Sequence, residues 1–171
     1  MALYGRPLYH SVTTFHNLDI MTTNTSKTLD YPVTDTEAAA AYFRAKLEFG
    51  TDSADLYRDL LEDLDGFVVV DTRSFDKYKE AHIPTAIPLP AEETLGRLDP
   101  TKTYIVYCDG IGCNGSTKGA LRLASLGLKA KELVGGIDWW LQRDRYPVVQ
   151  GEDPGSLSSA KAAPAISSCG C

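Results

Sequence analysis

YIVYCDGIGCNGSTKGA, residues 104–120, is the stretch whose reading decides the fold. Tyr104 to Tyr107 form a short apolar run of the kind that suits a strand buried on both faces. Cys108 ends it. Three glycines follow within seven residues, Gly110, Gly112 and Gly115, and from Ser116 the spacing of Ala120, Leu121, Leu123 and Ala124 predicts a helix to Leu126, stopped by Gly127. Strand, glycine loop and helix in that order describe one unit of a parallel sheet. Such sheets hold their ligands outside the carboxyl ends of the strands.

Working outward, FVVVD at 67–71 is a second buried strand, Ile87 to Leu89 a brief one between prolines, and Glu132 to Val134 another. Asp35, or Thr34 with Glu37 three residues on, caps a helix running through AAAAYFRAKLEF to Gly50. Further helices are predicted from Ser53 to about Asp63, from Ser74 to Ala81 and from Ile137 to Gln142. The alternation predicts an α/β fold with right-handed crossovers, a mostly parallel sheet and helices on both faces. The organisation expected is an extension over 1–31, a domain over 32–150, and a flexible Gly-, Pro-, Ser- and Ala-rich tail over 151–171 ending in Cys-Gly-Cys. Met21, inside the extension, is an alternative natural start.

Composition narrows the function classes. With 43% hydrophobic and 23% charged residues among 171, the chain reads as an ordinary globular domain. Its longest apolar run, Ala38 to Phe43, is far short of a membrane span. A net charge of -6 speaks against nucleic-acid binding, and residues 30–65 concentrate the acidity with ten Asp or Glu against three Lys or Arg. Four cysteines are too few for a disulfide scaffold and read as chemistry. With no export signature, the expected compartment is the cytoplasm.

Two places immediately follow strands: Asp71-Thr72-Arg73, and the loop after Cys108. In that loop the glycines let the chain curl so that consecutive N–H groups point inward, and the helix start adds its positive dipole end. An anion is held there, and the same field favours a thiolate on Cys108. Lys118, in the first helical turn, is the nearest cation.

These residues resemble the single-domain rhodanese-like sulfurtransferases over about 33–150. VVVDTRSFDKYKEAHIPTAIPLP matches the family's first signature, YIVYC the strand and nucleophile, and LVGGIDWW the closing segment. The resemblance implies a three-layer fold around a five-stranded parallel sheet. It implies a ping-pong reaction in which Cys108 takes sulfane sulfur from a thiosulfate-like or persulfide donor and passes it to a thiol or cyanide-like acceptor. The amides of Asp109, Gly110, Ile111, Gly112, Cys113, Asn114 and Gly115 are then the anion-binding loop, with no cofactor and no metal. The loop is longer than usual and resembles a subgroup carrying a second cysteine, here Cys113, a candidate resolving thiol within disulfide reach of Cys108. Asp109, beside the nucleophile, is expected to repel anionic donors if its carboxylate points inward. Lys77 stands where an acidic residue often accompanies Arg73, and Ala81 and Thr85 replace glycines. Arg73 is therefore expected to pair with Asp71, Asp76 or Glu80 in a supporting role.

Other readings fit less well. A phosphatase of this fold needs an arginine five residues beyond its loop cysteine's successor, and the positions counted from Cys108 and Cys113 hold Asn114 and Gly119. His82 is expected to anchor a loop rather than act as a base, and Trp139 and Trp140 to pack. The alternative from another class is a thiol redox or metal-binding module using Cys108, Cys113, Cys169 and Cys171. A tail of that composition reaches roughly 21 to 25 Å, enough for its thiols to visit the loop.

Overall fold

The computed structural model describes residues 26–163. The sequence expectations on Met21, Cys169 and Cys171 therefore lie outside the described residues. Up to Thr36 the chain forms one unit, whose described part contains a 3-10 turn at Lys27–Leu29; Glu37 onward forms a second.

The second unit is built on a five-stranded, all-parallel sheet in the order β1-β5-β4-β2-β3. Its strands are β1 (Gly50–Thr51), β2 (Phe67–Asp71), β3 (Ile87–Pro88), β4 (Thr103–Tyr107) and β5 (Lys129–Leu133). The helices are α1 (Thr36–Phe49), α2 (Ser53–Leu61), α3 (Phe75–Glu80), α4 (Glu92–Leu95), α5 (Gly115–Ser125) and α6 (Gly136–Asp138). α6 runs on as a π-helical turn over Trp139–Arg143.

The central strands β2 and β4 pair in register from Phe67 with Thr103 to Asp71 with Tyr107. Side chains of alternate residues divide between two cores. Val69, Ile105, Tyr107 and Leu133 face α2, α3 and α6 through Leu56, Tyr78, Ile137 and Trp140. Val70, Tyr104 and Val106 face α4 and α5 through Leu95, Leu123 and Leu128. Those two buried faces are why β2 and β4 read as continuous apolar runs.

Two strands depart from the sequence expectation. β1 has only two residues, directly after α1, and exists because it pairs with Glu132 and Leu133 of β5. β5 begins at Lys129 rather than Glu132, and its KAKEL sequence hides a strand behind lysines. Those lysines reach out to backbone carbonyls, Lys129 Nζ to Thr101 at 3.3 Å and Lys131 Nζ to Leu47 at 3.0 Å. α4 was also not signalled by the sequence.

The stretch expected as a free tail from 151 begins packed against the domain. Val148 bridges Lys161, Val149 bridges His82, the Gly151 N–H donates to the Lys79 carbonyl at 2.8 Å and the Thr85 N–H to that of Pro154 at 2.9 Å. Backbone hydrogen bonds to the segment around His82 overcome a composition that favours a linker. Thr85 takes a φ of 69°, the left-handed conformation a glycine adopts at little cost, which explains why a glycine suits that position.

Candidate active site

Cys108 ends β4 and is 6% exposed. Its sulfur sits against the first turn of α5: a Cβ added at Gly115 would lie 2.7 Å from Cys108 Sγ and 3.2 Å from Thr72 Oγ1. Glycine at 115 is thus what lets the helix N-terminus approach the sulfur. One turn on, a Cβ at Gly119 would meet Thr72 Cγ2 at 2.7 Å and Val106 Cγ1 at 3.0 Å. Thr72 holds the neighbouring strand end, its N–H and Oγ1 both donating to the Tyr107 carbonyl at 2.9 and 2.8 Å.

The loop closes on itself and on α6. Cys113 N–H donates to the Gly110 carbonyl at 3.1 Å, with Gly112 at φ 96°. On the other side the amides of Ile137 and Asp138 donate to the carbonyls of Cys108 (3.1 Å) and Asp109 (2.8 Å). That contact needs Gly136, at φ 56°, where a Cβ would lie 2.8 Å from the Asp109 oxygen. The glycine pair in LVGGIDWW therefore docks the closing helix onto the cysteine loop. A shallow cavity of about 180 Å³ opens beside the sulfur, lined by Cys108, Gly110, Ile111, Cys113, Ser116 and Thr117 among others. Ile111 is 75% exposed at its mouth.

Cys108 and Cys113 are joined by a disulfide, with Cα atoms 6.4 Å apart. Together with Asp109 they place three metal-binding atoms, two sulfurs and a carboxylate oxygen, within 4.8 Å of one another. Both sulfurs are committed to each other, and Asp109 is committed elsewhere. Its two carboxylate oxygens each accept from Lys77 Nζ at 2.9 Å. The condition under which Asp109 was expected to repel anionic donors, an inward carboxylate, is not met: the carboxylate lies on the α3 side, paired with Lys77, where both line a separate cavity of about 490 Å³ with Arg73, Glu80, Asp138 and Lys161. Lys77 in place of the usual acid has a use. Lys77→Ala is expected to expose the Asp109 charge and slow the alkylation of reduced Cys108 by an anionic reagent about two- to fivefold at low salt, with the difference vanishing at high salt. Alkylation rates with iodoacetate, set against neutral iodoacetamide across ionic strength, check this.

Arg73 pairs with Asp71, one of the three partners expected for it. Arg73 Nε donates to Asp71 Oδ1 at 3.0 Å and Nη2 to Oδ2 at 2.7 Å, and Nη2 also donates to the Ala81 carbonyl at 2.6 Å. Both side chains are buried. Tyr107, which the sequence reading missed as a site-supporting residue, donates its hydroxyl to Asp71 Oδ2 at 2.7 Å and accepts the Ile83 N–H at 3.2 Å. Burial, then the Asp71 charge, pushes the Tyr107 phenol well above its ordinary range, so it remains a donor. Burial opposes the Arg73 charge, but hydrogen bonding and proximity to Asp71 outweigh it and raise its pKa. Arg73 does not line the small cavity, so the network supports the strand ends rather than touching what the loop holds. Lys118 is exposed on α5 and does not line that cavity either.

His82 is fully buried, stacked on Tyr78, with Nδ1 2.8 Å from the Tyr78 carbonyl and Nε2 3.1 Å from that of Asp153. Both ring nitrogens are engaged, in keeping with a loop anchor. Trp140 is buried and donates to the Pro147 carbonyl, while Arg143 stacks over Trp139. No helix among the described residues is long and apolar enough to cross a membrane.

The chain is similar to known proteins in sequence and fold. A protein of Bacillus halodurans of known crystal structure is 41% identical, covering 69% of this chain and 88% of its own, with a TM-score of 0.64. A rhodanese-related protein of Thermoplasma volcanium is 29% identical over 59% of this chain and 97% of its own, with a TM-score of 0.50. A tRNA sulfurtransferase of Thermoplasma acidophilum is 42% identical over 45 residues, so the chain matches 9% of that relative's length. The Rhodanese-like domain profile matches residues 53–143, more than half of the chain, from the start of α2 through the cysteine loop to the last helical turn. On that match, and on the parallel sheet that delivers Cys108 to the head of α5, the chain belongs to the rhodanese-like domain family.

Proposed function

We propose that this domain is a sulfurtransferase. It moves sulfane sulfur from a small thiosulfate-like or persulfide donor, through a persulfide on Cys108, to a thiol or cyanide-like acceptor. The observation that carries the reading is the position of the Cys108 sulfur, at a strand end against the N-terminal turn of α5. There the free amides and helix dipole stabilise both a thiolate and a departing anion such as sulfite. The Cys108 thiolate attacks the outer sulfur of the donor, the sulfite leaves with its electron pair, and Cys108 is left as a persulfide. A thiophilic acceptor then takes the outer sulfur and regenerates the thiolate. The tRNA sulfurtransferase relative is named for sulfur transfer, which supports the class of chemistry. The test is mass spectrometry of the reduced protein after incubation with thiosulfate or a persulfide donor: one added sulfur on the Cys108 peptide is expected, and an unmodified Cys108 overturns the reading.

The disulfide favours a second step at the same site. Cys113, as thiolate, attacks the inner sulfur of the Cys108 persulfide; the outer sulfur leaves as hydrosulfide, and the Cys108–Cys113 disulfide remains for an external dithiol to reduce. Reduced wild-type protein is expected to release one sulfide per chain after loading when acceptor is withheld. Cys113→Ser is expected to release none and to keep its persulfide at least about tenfold longer. Sulfide trapping and intact mass measure both; equal lifetimes in the two proteins would leave Cys108 working alone.

A further inference from the structure

Between Gly151 and Ala163 the chain is tied to the domain. Beyond its contacts with Lys79, His82 and Thr85, Lys161 and Val148 exchange both backbone hydrogen bonds, at 2.8 and 2.9 Å. Lys161 and Ala162 then line the cavity of about 490 Å³ that Asp109 also lines. One carboxylate oxygen of Asp109 lies within 4.8 Å of the sulfurs of both Cys108 and Cys113. The fold thus carries the chain to a cavity that abuts the nucleophile, and the described residues end there, at Ala163.

That placement shortens the tether of two further thiols. Cys169 lies eighteen positions after Gly151 but only six after Ala163, with Cys171 two beyond. Six flexible residues reach about 12 to 15 Å on average and at most about 20 Å, so both thiols can cross the cavity to Asp109. A tether this short holds a thiol at an effective concentration in roughly the millimolar range, far above that of a second chain at micromolar protein. Pro164, Ala165 and Ile166, which lead away from Ala163, are apolar in sequence, as are Ile137, Leu141 and Val148 in the cavity.

We propose that a thiol of the Cys169-Gly170-Cys171 pair is the first acceptor of the sulfur carried by Cys108, reaching it by way of this cavity. The inference rests on the sulfurtransferase reading and gives it an acceptor within the same chain. A tail thiolate attacks the outer sulfur of the Cys108 persulfide. The bond between the two persulfide sulfurs breaks, and Cys108 leaves with its electron pair as a thiolate. The persulfide is then on the tail, and nothing has been oxidised or reduced overall. The head of α5 stabilises the departing Cys108 thiolate, which favours the step. Cys108 is only 6% exposed, so a tail carrier relieves a bulky acceptor of having to reach a buried sulfur. Cys113 competes by attacking the inner sulfur of the same persulfide.

The test follows the added sulfur through the full-length reduced protein. The Cys113→Ser variant, in which the competing route is closed, is loaded with limiting thiosulfate, trapped with iodoacetamide and digested, and its peptides are weighed. Roughly half or more of the added sulfur is expected on the peptide holding Cys169 and Cys171, because two ordinary thiols compete with one whose thiolate is stabilised. Its rate of arrival there is expected to be unchanged by about tenfold dilution of the protein, as a step within one chain requires. Wild-type protein sampled before it releases sulfide is expected to show the tail peptide labelled too, so the result does not hang on the variant. In Cys108→Ser the tail peptide is expected to gain no sulfur. Sulfur on Cys108 that never reaches the tail overturns this inference and leaves the sulfurtransferase reading standing. An arrival rate that falls with dilution, or a labelled tail in Cys108→Ser, overturns it as well. No sulfur on Cys108 in any sample overturns the sulfurtransferase reading itself, and this inference with it.

Discussion

Cys108→Ser is expected to abolish sulfur loading, lowering transfer from thiosulfate or a persulfide donor by at least about a thousandfold while leaving the domain folded. A serine hydroxyl cannot form the persulfide. The size difference is small, and Cys108 lies at the edge of the core beside a cavity, so the fold has little to lose. The readouts are turnover, persulfide mass and thermal unfolding on the same sample. Retained transfer near the wild-type rate would remove Cys108 from the chemistry. Loss of transfer together with loss of fold would be resolved by Cys108→Ala, which keeps packing and forms no persulfide.

The largest stability effect is expected at Arg73. Asp71 is fully buried, and its two oxygens are shared between the Arg73 guanidinium, the Arg73 backbone N–H and the Tyr107 hydroxyl. Removing the arginine leaves a buried carboxylate without its counter-charge. Breaking such a pair costs about 3 to 5 kcal/mol. Arg73→Ala is therefore expected to lose that amount in denaturant unfolding, and Arg73→Lys to recover only part, because an ammonium cannot make the paired hydrogen bonds and also reach the Ala81 carbonyl. A loss below about 1 kcal/mol would show that the network relaxes around solvent. Activity per folded molecule should fall too, since Tyr107 directly precedes Cys108 and ties its strand end to Asp71 and Ile83.

Lys77 illustrates how close such readings come and where they stop. It was visible in sequence as an unexpected residue, and Asp109 as an unexpected neighbour of the nucleophile, but not that the two answer each other. They are thirty-two positions apart, and only the docking of α3 beside the loop brings them together. The same holds for Tyr107, whose apolar neighbours mark it as strand while its hydroxyl serves a carboxylate on the adjacent strand. A signal for it existed in the register of β2 against β4, which pairs Asp71 with Tyr107, but register is not written in either strand alone.

What the sequence by itself determined is what short-range chemistry decides. The β-branched and aromatic runs of β2 and β4 have only one stable use, a strand buried on both faces. Cys108 followed by glycines before a helical pattern has one natural geometry, a sulfur at a helix head. What only the tertiary structure decided depends on partners far along the chain. β1 is two residues made into a strand by β5, KAKEL is a strand because its neighbours supply the ladder, and the stretch after Gly151 is ordered because His82, Thr85 and Lys79 offer it hydrogen bonds. Local propensity is weak in each of those segments, so non-local hydrogen bonding and burial win there. The Cys108–Cys113 bond sits between the two cases, since a separation of five made it reachable and the curl at Gly112 brought the two cysteines together.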